Sequence, residues 1–193
     1  MHNRRDAAMF DLYSINLVSG EEMLLYENNE NIINLLIDDN GRVQARIKQT
    51  EDARLVQIPS QTKEWKTLLS ASKFDSIHPL NSSLDGSSLY LLSNVGRERQ
   101  VLIELNLISG AQKVLAEHDR VDIHAGLISP ARRLPQLAYA APDYPTLIYL
   151  DDKLQHRLRS FLSDTADGLS ISSLDRVERY AVISSWDHSG RAE

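Results

Sequence analysis

The stretch DLYSINLVSGEEMLLYE, residues 11–27, returns as VLIELNLISGAQKVLAE, residues 101–117. Leu12 answers to Leu102, Asn16 to Asn106, Gly20 to Gly110 and Glu27 to Glu117, each pair 90 positions apart (110 − 20). Both copies alternate as strands do, with successive side chains pointing to opposite sides. Tyr13, Ile15 and Leu17 share one face of the first copy, and Ile103, Leu105 and Leu107 share the matching face of the second. Ser14 with Asn16, and Glu104 with Asn106, fall on the partly wet face. The Ser-Gly pairs at 19–20 and 109–110 suit a tight hairpin, where glycine takes a positive φ without steric cost.

A spacing of 90 divides into two periods of about 45 residues, the scale of radial or stacked repeats. The halfway copy is RLVQIPSQTKEWKTLL, residues 54–69, and a weaker fourth begins at TLIYLDD, residues 146–152. A second element recurs between these hairpins: IDDNGRVQARI (37–47), SLDGSSLYLL (83–92), ISPARRLPQLAYA (128–140) and SLDRVERYAVI (173–183). Each copy places turn-forming Asp, Asn, Gly, Ser or Pro before a short apolar strand. Val43, Ala45 and Ile47 alternate with Gln44, Arg46 and Lys48, which predicts an outer strand with one solvated face.

One segment breaks the strand pattern. In DDKLQHRLRSFLSD, residues 151–164, Leu154, Leu158, Phe161 and Leu162 form a helical stripe, with Asp151 or Asp152 as the cap. The expected fold is therefore all-β: a partial or small β-propeller of about four blades of four-stranded antiparallel sheets, with one inserted helix near 152–162. Residues 1–10 read as an N-terminal tail, 11–187 as the blades of a single domain and 188–193 as a C-terminal tail.

The motifs LYSINLVSGEEMLL, LDGSSLYLLSNVGRERQVLIELNLISGAQKVL and LIYLDDKLQHRLRSFL resemble the propeller of the prolyl oligopeptidase family of serine peptidases, in its dipeptidyl-peptidase and acylaminoacyl-peptidase-like branch. The likeness runs from about Asp11 to Trp186. It implies a non-catalytic propeller module that gates peptide access to an α/β-hydrolase domain of the same parent protein. The implied partners are that catalytic domain and peptide substrates. The alternative is a stand-alone propeller used as a protein-interaction scaffold.

The sequence carries no G-x-S-x-G, the strained turn that exposes a hydrolase nucleophile. DGSSLY and DGLSIS lack the second glycine, and no strand–helix alternation surrounds them. No catalytic residue, cofactor or metal is expected. The set His118, Asp119, Asp122 and His124 matches no compact zinc spacing and reads as a solvated loop followed by a strand. The charged loop NVGRERQ, residues 94–100, offers Arg97, Glu98 and Arg99 as candidate binding residues, since blade-end loops form the faces of a propeller. Trp65 and Trp186 are expected to pack between sheets, and APDYPTL, residues 141–147, to turn between strands.

A net charge of −6 argues against a nucleic-acid groove, which needs clustered Lys and Arg. No run approaches the roughly 18 apolar residues of a membrane span. No membrane partner is expected. The lack of cysteine removes disulfides and thiolate chemistry without selecting a compartment. The cytoplasm is the expected location, or the periplasm should a leader precede these residues. Self-association is expected as well, because an incomplete ring leaves sheet faces uncovered.

Overall fold

A computed structural model of the chain describes residues 1–38, 40–60, 62, 64–159 and 168–186. The chain divides into two compact units, Met1–Asp75 and Ser76–Glu193, where the sequence suggested a single domain.

In the first unit, β1 (His2–Asp6), β2 (Met9–Ile15) and β3 (Glu22–Tyr26) form a three-stranded sheet in that order. A four-stranded sheet follows: β4 (Ile32–Ile37), β5 (Val43–Gln49), β6 (Ala53–Pro59) and β7 (Trp65–Ser72). The second unit opens with β8 (Ile77–Ser82), β9 (Ser88–Ser93), β10 (Val101–Asn106) and β11 (Gln112–Ala116), again four strands in chain order. Next come β12 (Ile123–Ile128), β13 (Pro135–Ala140) and β14 (Thr146–Tyr149), then helix α1 (Asp152–Arg159) and the pair β15 (Gly168–Leu174) and β16 (Ala181–Trp186). Every pairing is antiparallel between neighbours in sequence.

This is an all-β, propeller-like arrangement of repeated meanders with one helix. The leading strands β4, β8, β12 and β15 start at residues 32, 77, 123 and 168, so the period of the sequence is the period of the fold. Two sheets have four strands, and the flanking ones have three, three and two among the described residues. In the third full repeat, α1 follows β14 at the point where the earlier repeats place their fourth strand.

Local hydrogen bonds explain why two sequence elements recur. In the β2–β3 turn, Asn16 Oδ1 accepts from the amides of Val18 and Ser19, and Gly20 N–H donates to Asn16 O. Between β10 and β11, Asn106 Oδ1 accepts from Ile108 and Ser109, and Gly110 N–H donates to Asn106 O. Gly20 and Gly110 both sit at φ 75°, the left-handed region that favours glycine. The other element is a turn headed by Asp38, Ser83, Ser129 or Asp175. Its side-chain oxygen accepts from amides two to five residues on.

The core of the second unit lies between sheets. Leu92, Leu102, Ala116, Ile123, Ala138 and Ala140 join the β8–β11 sheet to the β12–β14 sheet. Leu137, Leu158, Leu169 and Ile171 join the latter to α1 and to β15–β16. In the first unit Ile32, Ala45, Ile47, Val56, Leu69 and Ala71 are buried.

Three expectations change. Residues 1–10 hold β1 and the start of β2, because the Arg5 guanidinium grips buried Asp11 at 2.9 and 3.0 Å and the carbonyl of Asn28 at 2.8 Å. Strand β5 is central and Arg46 is only 3% exposed. Its charge is held inside by Glu30 at 2.6 Å, Gln57 at 2.9 Å and the Tyr26 hydroxyl at 2.9 Å, with Trp65 stacked 4.0 Å away. Ile15 and Leu17 are exposed, although their counterparts Leu105 and Leu107 are buried. Leu107 N–H pairs with the carbonyl of Ser87, which anchors the second copy to the strand start beside it. The helix is described over Asp152–Arg159, and the expected positions Phe161 and Leu162, like residues 188–193, lie outside the described residues.

Candidate functional site

One departure from the repeat lies at a cleft. Where the turn carries Gly41 at φ 75° and Gly86 at φ 69° in two copies, the last holds Glu178 at φ 57°, and the third places Arg133 at φ 49° one position later. A left-handed conformation costs a residue with a Cβ about 1–2 kcal/mol. Such strain persists where the surroundings hold it in place.

At Glu178 the surroundings are visible. The hydroxyl of buried Ser129 donates to Glu178 Oε1. Gln136 Nε2 donates to Oε2 at 3.2 Å, and Arg132 Nη2 lies 3.3 Å from the same oxygen. Arg132 Nη2 also reaches Asp151 Oδ2 at 2.5 Å. Asp151 in turn caps α1, its Oδ1 accepting from the amides of Lys153 at 2.9 Å and Leu154 at 3.2 Å. One chain of charge-assisted contacts therefore ties the β12–β13 turn, the helix start and the β15–β16 turn together.

The electrostatics follow from that wiring. The hydrogen bond to Asp151 leads in holding the Arg132 guanidinium above its ordinary range, with both carboxylates adding to it. Burial pushes Asp151 upward, but Arg132 and the helix amides outweigh it and leave the carboxyl below the usual range. Both groups are charged at neutral pH.

This network forms one wall of a cleft of about 570 Å³. Leu154 and Leu158 of α1 line it with Leu174, Tyr180 and Ile183. Lys153, Arg157 and Arg179 add positive charge to that of Arg132, against the carboxylates of Asp151 and Glu178. Gln136 is 3% exposed, and its Oε1 has no hydrogen-bond partner among the described residues. Apolar walls with a few fixed polar groups, in this volume range, are what small-molecule sites share.

The residues singled out from sequence lie elsewhere in the second unit. Arg97 sits in the β9–β10 turn, with its guanidinium folded back on the carbonyl of Val95 at 2.9 Å and on Gln112 at 3.3 Å. Glu98 and Arg99 pair with each other at 3.1 Å on the surface. His118 contacts Asp119, Asp122 accepts from the amide of Gln100 at 2.7 Å, and His124 lies beside Tyr139. Among the described residues no group of three or more His, Cys, Asp or Glu is placed to hold a metal ion. Arg132, Gln136, Asp151 and Glu178 escaped the sequence reading because their partners are up to 49 positions away. The signal was nonetheless present: RVER, residues 176–179, stands where two earlier copies carry glycine.

Over 138 residues the chain is 28% identical to dipeptidyl aminopeptidase BIII of Pseudoxanthomonas mexicana, with 67% of this chain and 19% of the relative covered. The chain is similar to the peptidases of the prolyl oligopeptidase family. It spans about a fifth of the length of that curated relative. A solved structure of a puromycin hydrolase mutant complexed with PGG aligns with a TM-score of 0.49 at 11% identity, over 89% of this chain and 30% of its own. No family model matches the chain.

Proposed function

We propose that this chain is a non-catalytic propeller module of a prolyl-oligopeptidase-like serine peptidase, gating peptide access to an α/β-hydrolase domain of the same parent protein. The observation that supports it best is the 28% identity to a dipeptidyl aminopeptidase, combined with a β-meander that repeats about every 45 residues. The mechanism is steric. Rigid sheets around a narrow opening admit a flexible peptide and turn away a folded protein, and bond cleavage takes place on the hydrolase.

The test uses the full product of the gene. A serine-directed covalent probe is expected to label a residue outside 1–193, and unstructured peptides to be cleaved while the same sequence inside a folded protein is spared. Excising these meanders while keeping the labelled domain is expected to abolish that discrimination. A gene product without a probe-reactive serine, or cleavage indifferent to substrate folding, overturns the proposal in favour of a stand-alone interaction scaffold.

A further inference from the structure

Three features of the cleft beside α1 bear on what it could hold. Its turn residue Glu178 holds a left-handed backbone at φ 57°, where glycine serves at the equivalent Gly41 and Gly86. The carboxylate that this backbone presents is held at the cleft by Ser129, Gln136 and Arg132. Gln136 is buried with its amide nitrogen committed to Glu178, which fixes the amide orientation and leaves Oε1 as an unused acceptor. An acceptor buried without a donor is a cost, commonly about 1–3 kcal/mol, that a ligand N–H removes. Finally, among the described residues Lys153 and Arg179 line the cleft beside the Arg132 network, in a protein whose net charge is −6.

These features specify complementary chemistry. The positive charge of Lys153 and Arg179 beside Arg132 calls for an anion. The unused Gln136 oxygen calls for an N–H donor. The walls of Leu154, Leu158, Leu174 and Ile183 call for an aliphatic group. A carboxylate, an amide N–H and an apolar side chain occur together on the last residue of a peptide or on a free N-acyl amino acid. We propose that this cleft binds an N-acylated aliphatic amino-acid unit with a free carboxylate, with Gln136 taking the amide N–H and the cationic rim taking the carboxylate. The site lies wholly within the second unit and does not depend on the gating proposal.

Calorimetric titration of the 193-residue chain tests this with four probes: N-acetyl-L-leucine, N-acetyl-L-leucinamide, 4-methylpentanoate and the tripeptide Ala-Ala-Leu. The carboxylate-bearing amides, N-acetyl-L-leucine or the tripeptide, are expected to saturate. The leucinamide lacks the charge and 4-methylpentanoate lacks the N–H, and each is expected to bind at least about tenfold more weakly, as for loss of one charge-assisted or buried hydrogen bond. Binding of the tripeptide alone assigns a peptide terminus as the ligand, and binding of N-acetyl-L-leucine alone assigns the small molecule. Arg179→Gln, on the turn and outside the buried network, is expected to weaken binding about tenfold with an unchanged unfolding midpoint. Gln136→Leu is expected to abolish the preference for N-acetyl-L-leucine over 4-methylpentanoate. Absence of saturation by both carboxylate-bearing amides overturns the proposal, as does equal affinity for the leucinamide.

Discussion

Asp85 concentrates three hydrogen bonds on one oxygen: the Ser83 hydroxyl at 2.6 Å, the Ser87 hydroxyl at 2.8 Å and the Ser87 amide at 3.0 Å. Ser83 is the largest influence, and together these donors hold the carboxyl at a pKa of about 2. The folded value is depressed below the unfolded value of about 3.9. The resulting stability is therefore full above about pH 4 and is lost as the pH falls toward 2. Asp85→Asn is expected to lower stability at pH 7, with the gap to the native protein closing between about pH 4 and pH 2 in urea titrations. A gap that ignores pH would contradict the assignment. Gly168 makes a different kind of residue-level commitment. A Cβ built there meets the Trp186 ring at 2.4 Å, so the glycine is small because its cross-strand partner is large. Gly168→Ala is expected to cost about 1–3 kcal/mol, the usual range for overpacking. Adding Trp186→Leu in the same chain is expected to recover most of it, a coupling that a double-mutant cycle reads directly.

Elements were legible where their cause is local. The Asn16 and Asn106 turns repeat because one side chain organises the amides of its own next residues, so sequence identity carries the whole structure. The helix start was legible for the same reason, since Asp151 caps the residues that follow it. Strand β5 was misread because its fate is not local. The partners of Arg46 come from β3, the loop after it, β6 and β7, and nothing between Val43 and Gln49 announces them. The candidate cleft failed to be read for that reason too, since Ser129 and Glu178 meet across 49 positions. The helix cap yields a prediction at this scale. Asp151→Ala is expected to speed amide exchange at Lys153 and Leu154 and to cost about 0.5–2 kcal/mol, the range for lost N-caps. Asp151→Asn, which keeps an acceptor, is expected to restore much of that protection. Unchanged exchange in the alanine variant would place the helix start under some other control.

For the whole molecule the repeat itself supplies the control that a single structure lacks, because each sheet can be compared with its siblings. Leu105 is fully buried and Leu107 is 8% exposed, whereas Ile15 and Leu17, one double period earlier, are 52% and 96% exposed. The apolar alternation is the same, so the first sheet carries a face patterned for burial that the described residues leave bare. Val18 beside it is 99% exposed. Apolar surface of this kind recruits a partner. The three-stranded sheet adds the outer edge of β1, whose backbone groups lack a neighbouring strand among the described residues. The chain alone is therefore expected to self-associate, with a sedimentation coefficient that rises with concentration. Replacing Ile15 and Leu17 by threonine keeps β propensity while removing apolar area, and is expected to shift the distribution toward monomer without lowering the unfolding midpoint. If the native chain sediments as a monomer at every concentration, the bare face is not adhesive. If the double variant associates as strongly as its parent, the adhesive surface lies on another sheet.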